Sequence, residues 1–273
     1  LTFKDIQIFR LVESIYYAFK GDASPSQNTT GERTLMATVA KDKDIAYQSD
    51  LFQQGGAQFE GNLALILAAY QQQNIPVVVG DLVSNEKDLI PFSAVSSVNI
   101  KEIQALALTP TKDRLALARQ YYQAIVNPKS EQPNLAKEYF LYGHALKLAG
   151  NHNQAKQAFI TAKDYDTLRF RAPSEFNQVI ENLAQHYGAS VARVQEAFIA
   201  DSVDGIIGQK HMLEHLHPSQ RGYFVLAKAY VDSMQTTGLL PKVAGYQAQM
   251  SWLEQPISRA DAIYGEFKVK RLV

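Results

Sequence analysis

The strongest constraint on the fold is a short apolar run at residues 75–83, Ile-Pro-Val-Val-Val-Gly-Asp-Leu-Val. The run is rich in valine and shows no alternation of polar and apolar residues. This pattern is typical of a strand that is buried on both faces of a parallel sheet. A second short strand is predicted at residues 189–194, directly after Gly188, which ends a predicted helix. Together the two runs predict units of strand and helix that share one sheet.

Helical periodicity dominates the rest of the chain. Apolar residues recur at the spacing of one helical face in several stretches, and Ser174 is the predicted N-cap of the third of them. These stretches cover residues 3–19, 49–73, 174–187 and 221–234. A polar linker bounded by glycines follows the first helix at residues 21–31. The tail at 239–273 has too weak a periodicity to assign.

A longer helical block is predicted at residues 111–162. Within it, small and large side chains fall at the offsets of one tetratricopeptide repeat, in which small residues let two antiparallel helices approach closely. These positions are Tyr139, Tyr142, Gly143, Leu146, Gly150, Ala155, Phe159 and Ala162. Because a single repeat cannot bury its own apolar face, residues 111–126 are expected to pack against it and complete a helical insertion.

Charge and composition argue against nucleic acids and membranes as partners. Basic and acidic residues number 27 each, and no long run of one sign occurs, so an anionic polymer or membrane surface is not expected to bind. The longest apolar run, residues 63–70, is far short of the roughly 20 residues that a membrane-spanning helix needs. The absence of cysteine excludes disulfides, thiolate metal ligands and a cysteine nucleophile.

The residues best suited to chemistry lie in a polar loop at 205–218, just before the last predicted helix. This loop places Glu214, His215 and His217 within four residues, with His211 nearby. Imidazole and carboxylate groups suit zinc or iron, but the spacing and the lack of a strong distant partner argue against a metal site. We therefore expect neither a metal nor another cofactor.

Glu214 and His217 also suit acyl transfer. A serine hydrolase needs a histidine that takes the serine proton and a carboxylate that holds the histidine in one tautomer. A carboxylate three residues before a histidine can supply both groups from one loop. The alternative is a solvated loop whose histidines cap the following helix.

Four segments, taken in order, resemble one branch of the SGNH/GDSL hydrolase superfamily, in which a tetratricopeptide-like helical insertion interrupts the esterase domain. They are Gln-Phe-Glu-Gly-Asn-Leu at 58–63, Val-Ser-Asn-Glu-Lys-Asp-Leu-Ile-Pro-Phe at 83–92, Leu-Arg-Phe-Arg-Ala-Pro at 168–173 and Glu-His-Leu-His-Pro at 214–218. The resemblance implies a flavodoxin-like three-layer α/β/α sandwich, incomplete in this chain. It also implies that His217 is the general base and that Glu214, where the family usually has aspartate, orients it.

The family's serine nucleophile and oxyanion-hole residues are expected upstream of Leu1, which is not a start methionine. The chain is thus expected to be the C-terminal part of a serine esterase or acyl hydrolase, inactive by itself. Ser24 is not expected to be the nucleophile, because it follows a predicted helix and runs into Pro25. The resemblance suggests an ester of a carbohydrate or lipid as substrate and favours a bacterial cell-envelope or extracytoplasmic location.

Two further residues are candidates for substrate binding. Asn85 follows the first predicted strand, at the edge where open α/β sheets place their ligands, although it could instead cap the turn. Arg171 could bind an anionic substrate. With Asp164 and Asp166 close by, a structural ion pair is the alternative for this arginine.

The predicted organisation has two hydrolase-like parts at 1–110 and 164–236, a helical insertion at 111–163 and a tail at 237–273. The competing hypothesis for function is a non-catalytic binding or scaffold module. Such a module would hold a protein partner through the helical insertion.

Overall fold

The structure is a computed structural model that describes residues 44–94, 98, 100–131 and 133–242 and, in the tail, 258, 260, 261, 263–265 and 267. In the main part of this range the helices are α1 (Asp50–Gln72), α2 (Ile100–Leu108), α3 (Thr111–Val126), α4 (Leu135–Leu148), α5 (His152–Asp164), α6 (Glu175–Tyr187), α7 (Val194–Asp201) and α8 (Gln220–Thr236). The strands are β1 (Val78–Gly80) and β2 (Ser190–Ala192), and Phe92–Ala94 forms a single 3₁₀ turn.

The described residues are mostly helical, so the predicted three-layer α/β/α sandwich is wrong. The two strands have three residues each and pair in parallel as a two-stranded sheet. Val78 lies opposite Ser190, and Gly80 lies opposite Ala192. The prediction that both apolar runs belong to one parallel sheet is confirmed, but two strands do not make a layer on which a sandwich could be built.

The first strand is shorter than the apolar run because side-chain hydrogen bonds occupy the backbone soon after Gly80. The amide N–H of Leu82 donates to Oδ1 of Asn177 at 2.7 Å, and Nδ2 of Asn177 donates to the Leu82 carbonyl at 2.9 Å. At the other end of the run, Ile75 is exposed. Backbone groups that are bonded to a side chain are not available to a neighbouring strand, so the apolar run supports only a short strand.

Helix α8 packs closely on the sheet. A Cβ atom on Gly80 would lie 2.5 Å from the Tyr230 hydroxyl, so a side chain here would displace the Tyr230 ring of α8. Helix α6 contacts β2 and also packs on α1. The apolar core around the sheet consists of buried side chains of β2, α7, α8 and the loop between these helices: Ala192, Val194, Phe198, Ile207, Met212, Val225 and Ala229.

The helices predicted at 49–73, 174–187 and 221–234 are confirmed. The Ser49 hydroxyl caps α1 by accepting the Phe52 N–H at 3.3 Å. Gly188 ends α6 in the left-handed conformation, with φ 70°, which glycine adopts at little cost. Ser174 occupies the predicted N-cap position of α6, but its hydroxyl donates to Asp164 at 3.0 Å and forms no capping hydrogen bond with the helix.

Helices α4 and α5 form the predicted antiparallel hairpin, with α3 packed against α4. A Cβ atom on Gly143 would lie 2.9 Å from the Phe159 ring, which shows how closely the helices approach. Gly150 turns the chain between them with φ 84°. The helical hairpin is confirmed at the residue level, while its assignment as a tetratricopeptide repeat stays a prediction.

The helix predicted at 3–19, the linker at 21–31 and Ser24 lie outside the described residues. In the part of the chain that the structure describes, no helix combines the length and the apolar character that crossing a bilayer requires.

Candidate functional site

The polar loop predicted from the sequence folds as a narrow hairpin-like loop at 208–219. The Ser219 N–H donates to the His211 carbonyl at 2.7 Å, and the Leu213 N–H donates to the His217 carbonyl at 2.8 Å. Met212 and Pro218 form an antiparallel bridge between these two contacts. Ser219 then caps α8 by accepting the Gly222 N–H at 3.1 Å. Glu214 and His217 are therefore held at the tip of the loop.

The carboxylate of Glu214 is fully engaged with His217 and its neighbour. Oε1 of Glu214 accepts the backbone N–H of His217 at 2.7 Å and is also hydrogen-bonded to Nδ1 of the His217 ring. Oε2 of Glu214 accepts the Leu216 N–H at 3.1 Å. Burial acts to raise the pKa of Glu214, but the hydrogen bonds from His217 and Leu216 outweigh it and hold the pKa below its ordinary value. The carboxylate is ionised at neutral pH.

This contact sets the chemistry of the His217 ring. An ionised carboxylate can only accept hydrogen bonds, so Nδ1 of the neutral ring carries the proton and Nε2 keeps its lone pair. The His217 side chain is 66% exposed, whereas that of Glu214 is 14% exposed. The pair therefore presents one basic nitrogen to solvent and keeps the orienting carboxylate behind it.

His215, between the two, anchors the loop to residues 84–92. Its ring is buried and stacks on Phe92 at a centroid distance of 3.9 Å. Nε2 of His215 lies 3.1 Å from the Ile90 carbonyl, and the His215 carbonyl accepts the Asn85 N–H at 3.0 Å. Burial lowers the pKa of His215, and the nearby Arg171 lowers it further. The ring is therefore neutral and donates to the carbonyl through Nε2.

Asn85 and Arg171, the two predicted substrate contacts, lie together below the surface. Nη1 of Arg171 donates to the Asn85 carbonyl at 3.0 Å, and Nη2 forms an ion pair with Asp166 at 2.8 Å. Asp166 in turn accepts the backbone N–H groups of Phe92 and Ser93, both at 2.9 Å. The structural ion pair that the sequence left open is thus formed, and a role in substrate binding stays a prediction for both residues.

Asn85 also fulfils the capping role that the sequence left open. Its Oδ1 accepts the Asp88 N–H at 3.0 Å, which stabilises the turn after β1. Its Nδ2 is buried and has no hydrogen-bond acceptor among the described residues. Neither of the two N–H donors of this buried amide is therefore paired among the described residues.

The contacts that hold the base of the loop could not be predicted from the sequence. Nε2 of the buried His211 lies 2.6 Å from Oδ2 of Asp201, the last residue of α7. The guanidinium of Arg221, in the first turn of α8, donates from Nε and Nη2 to the two carboxylate oxygens of Asp201. Asp201 is 10 residues from His211 and 20 residues from Arg221, so no local spacing indicates this cluster.

A buried carboxylate and a buried amine near the end of β1 were also missed. Glu86 and Lys163 border a small polar cavity together with Ser84, Asn177 and Gln195. Burial raises the pKa of Glu86, although the nearby Lys163 opposes this shift. Burial likewise lowers the pKa of Lys163, against the effect of Asp164. The cavity volume of about 10 Å³ leaves room for roughly one water molecule, so this is not a substrate site.

No group of three or more histidine, aspartate or glutamate side chains that could hold a metal ion occurs in the described part of the chain. Among the same residues, no serine hydroxyl forms a hydrogen bond with the His217 ring; its ring contact is Glu214. No protein-family model, curated protein or solved structure matches this sequence. The site must therefore be interpreted from its own geometry.

Proposed function

We propose that Glu214 and His217 are the base half of a serine-dependent esterase or acyl hydrolase. The observation that carries the proposal is the hydrogen bond from Nδ1 of His217 to the ionised Glu214, which leaves a basic Nε2 facing solvent. This is the arrangement in which a histidine accepts a serine proton while a carboxylate holds its tautomer. The four segments that resemble the SGNH/GDSL superfamily favour an ester as the substrate.

In this mechanism Nε2 of His217 removes the proton from a serine hydroxyl as the serine oxygen attacks the ester carbonyl. The resulting imidazolium is stabilised by Glu214 and then gives the proton to the departing alcohol, which leaves an acyl-serine. Water, deprotonated by the same nitrogen, then attacks the acyl carbonyl, and the imidazolium returns the proton to the serine oxygen as the carboxylic acid leaves. The nucleophilic serine is supplied by a segment other than the described residues.

The test is hydrolysis of p-nitrophenyl acetate by the complete gene product. We expect His217→Ala to lower kcat/KM by about 10³-fold or more, because the variant lacks the base that removes the proton from the serine hydroxyl. His152→Ala is the matched control, since His152 is an exposed histidine in the first turn of α5, and it should leave kcat/KM unchanged. Near-normal turnover in His217→Ala would contradict the proposal.

A fluorophosphonate probe locates the nucleophile independently. We expect no labelling of the 273-residue chain and labelling of a serine in the complete gene product. Labelling of the 273-residue chain that disappears in Ser24→Ala would place the nucleophile at Ser24. That result would contradict the expectation that Ser24 is not the nucleophile, but it would keep the role of His217.

The competing hypothesis, a binding module, rests on a groove of about 480 Å³ within the helical insertion. It is lined by polar side chains of α3 and α4 and by the loop between them, among them Gln120, Gln123 and Asn134. A peptide partner that binds the Glu214→Ala, His217→Ala double variant with unchanged Kd, together with an inactive complete gene product, would favour this hypothesis.

A further inference from the structure

The carboxylate of Asp201 lies where three elements meet at the base of the loop. It ends α7, binds the Arg221 guanidinium in the first turn of α8 through both of its oxygens, and is 2.6 Å from Nε2 of His211 at the start of the loop. Hydrogen bonds from Arg221 hold the pKa of Asp201 well below its usual range, although partial burial acts in the opposite direction. Asp201 is therefore a fixed negative charge.

His211 is neutral in this arrangement. Its side chain has no exposed surface, and burial lowers its pKa even though the Asp201 carboxylate opposes the shift. Nδ1 of His211 is buried without a hydrogen-bond partner among the described residues, so a proton on Nδ1 would be costly. The single ring proton thus lies on Nε2 and is donated to Asp201.

The backbone of His211 connects this contact to the tip of the loop. Its carbonyl accepts the Ser219 N–H, the next pair towards the tip is Met212 and Pro218, and the next contact is the Leu213 N–H to the His217 carbonyl. Successive cross-loop contacts therefore connect the backbone of His211 to the backbone of His217.

The packing beneath His211 leaves little room for adjustment. A Cβ atom on Gly222 would lie 2.1 Å from the His211 carbonyl oxygen. The loop base is thus pressed against the first turn of α8, in the same turn that supplies Arg221. The backbone of His211 therefore has little room to move towards α8.

We propose that Asp201 is a positioning residue for the Glu214–His217 pair, acting through the buried ring of His211. The catalytic consequence rests on the proposed function, because positioning of His217 matters to turnover only if His217 is the base. The geometric claim is independent of turnover. The tautomer of His217 depends on the carboxylate of Asp201, although Asp201 does not contact His217. Two cross-loop hydrogen bonds separate His211 from His217.

The test is ¹⁵N NMR of the ring nitrogens in the histidine-labelled chain. In the wild type, Nδ1 of His217 should carry the proton at a pH where the ring is neutral. In Asp201→Asn we expect the ratio of the Nδ1–H to the Nε2–H tautomer of His217 to fall about fivefold. Asp232→Asn is the matched control, because Asp232 forms an exposed ion pair with Lys228 on α8. The ratio of the His217 tautomers in this variant should equal that in the wild type.

A purely structural role for Asp201 predicts a different result. The melting temperature would fall, but the tautomer ratio of His217 in the folded fraction would stay unchanged, and this outcome would overturn the proposal. If Asp201→Asn does not fold, Arg221→Lys decides the question. It keeps the charge but loses the two-pronged contact, and it should lower the ratio in the same direction.

The two proposals can fail separately. A complete gene product without esterase activity, in which Asp201→Asn still changes the His217 tautomer, would contradict the proposed function and keep the positioning role. An active enzyme in which Asp201→Asn leaves the His217 tautomer unchanged would contradict the positioning role and keep the proposed function.

Discussion

The helical hairpin of α4 and α5 and the loop at 208–219 are stabilised in different ways. The hairpin is held by apolar packing, in which the buried rings of Phe140 and Phe159 meet at 5.7 Å. The loop is held by polar contacts such as His211 to Asp201 and His215 to the Ile90 carbonyl. Loss of a buried apolar side chain leaves a cavity and lowers the free energy of unfolding. Hydrogen bonds and ion pairs, in contrast, fix the orientation of the groups that they join. The hairpin should therefore dominate stability, and the loop should dominate the geometry of the site.

The largest effect is expected from removing a ring in the hairpin. Phe159 has no exposed surface and packs against Phe140, His144 and Gly143. Phe159→Ala should lower the free energy of unfolding by about 3–5 kcal/mol, because it removes buried apolar surface and leaves a cavity. Chemical denaturation followed by circular dichroism measures this change.

The control for Phe159→Ala is Tyr122→Ala, since Tyr122 is half exposed on the neighbouring helix α3. It should cost clearly less. Equal effects of the two variants would break the comparison, because the hairpin would then not depend on its buried core.

The next effect concerns pH and a histidine inside the hairpin. Burial, followed by the charge of Lys147, lowers the pKa of His144 from 6.5 to about 4. The unfolded chain takes up a proton at His144 below pH 6.5, while the folded chain does not until about pH 4. Stability therefore falls as the pH decreases through this window, by about 3 kcal/mol at most from this residue.

The measurement is the difference in unfolding free energy between the wild type and His144→Leu at several pH values. The variant lacks the titrating ring, so the difference in unfolding free energy should change steadily between about pH 6.5 and pH 4. Above about pH 6.5 the difference should be constant. A difference that does not vary with pH would show that His144 is accessible to protons in the folded hairpin.

The smallest effect on stability is expected at the tip of the loop. Glu214→Gln keeps the size of the side chain but only one of the two oxygens that accept the N–H groups of Leu216 and His217. Because His217 is exposed and Leu216 is partly exposed, water can replace the lost acceptor, and the change should cost about 1 kcal/mol or less. It should nevertheless reduce the preference of His217 for the Nδ1–H tautomer, because an amide is a weaker acceptor than a carboxylate.

Thermal unfolding and ring ¹⁵N shifts of Glu214→Gln separate the two effects. A loss of stability as large as that of Phe159→Ala would remove the distinction between the two regions. An unchanged tautomer would mean that the carboxylate does not orient His217.

Much of the hairpin could be predicted from the sequence. The spacing of Gly143 and Phe159 indicated two helices in close contact, and the structure places a virtual Cβ of the glycine 2.9 Å from that ring. Gly150 was predicted only as one position of the repeat pattern, and the structure places it at the turn between the helices with a positive φ. Such patterns are readable because helix periodicity links residues three or four apart along the chain.

The sheet and the site could be predicted from the sequence only in part. The run at 75–83 indicated a buried strand, but its length was set by Asn177, 95 residues from Leu82. His215 was predicted only as part of a reactive cluster, whereas its contact with the Ile90 carbonyl joins residues 125 apart. Asp201 carried no signal at all. Contacts of this kind depend on the path of the whole chain, which local spacing does not report.

By itself, the sequence determined where the main helices lie, that two valine-containing runs share a parallel sheet, and that a carboxylate stands three residues before a histidine. Only the tertiary structure decided that the sheet has two short strands, that Arg171 is used in a buried ion pair, and that Asp201 holds the loop through His211. The physical reason is the distance along the chain over which each kind of interaction acts. Periodicity and capping act within one or two helical turns, whereas burial and charge pairing depend on which distant segments are packed together.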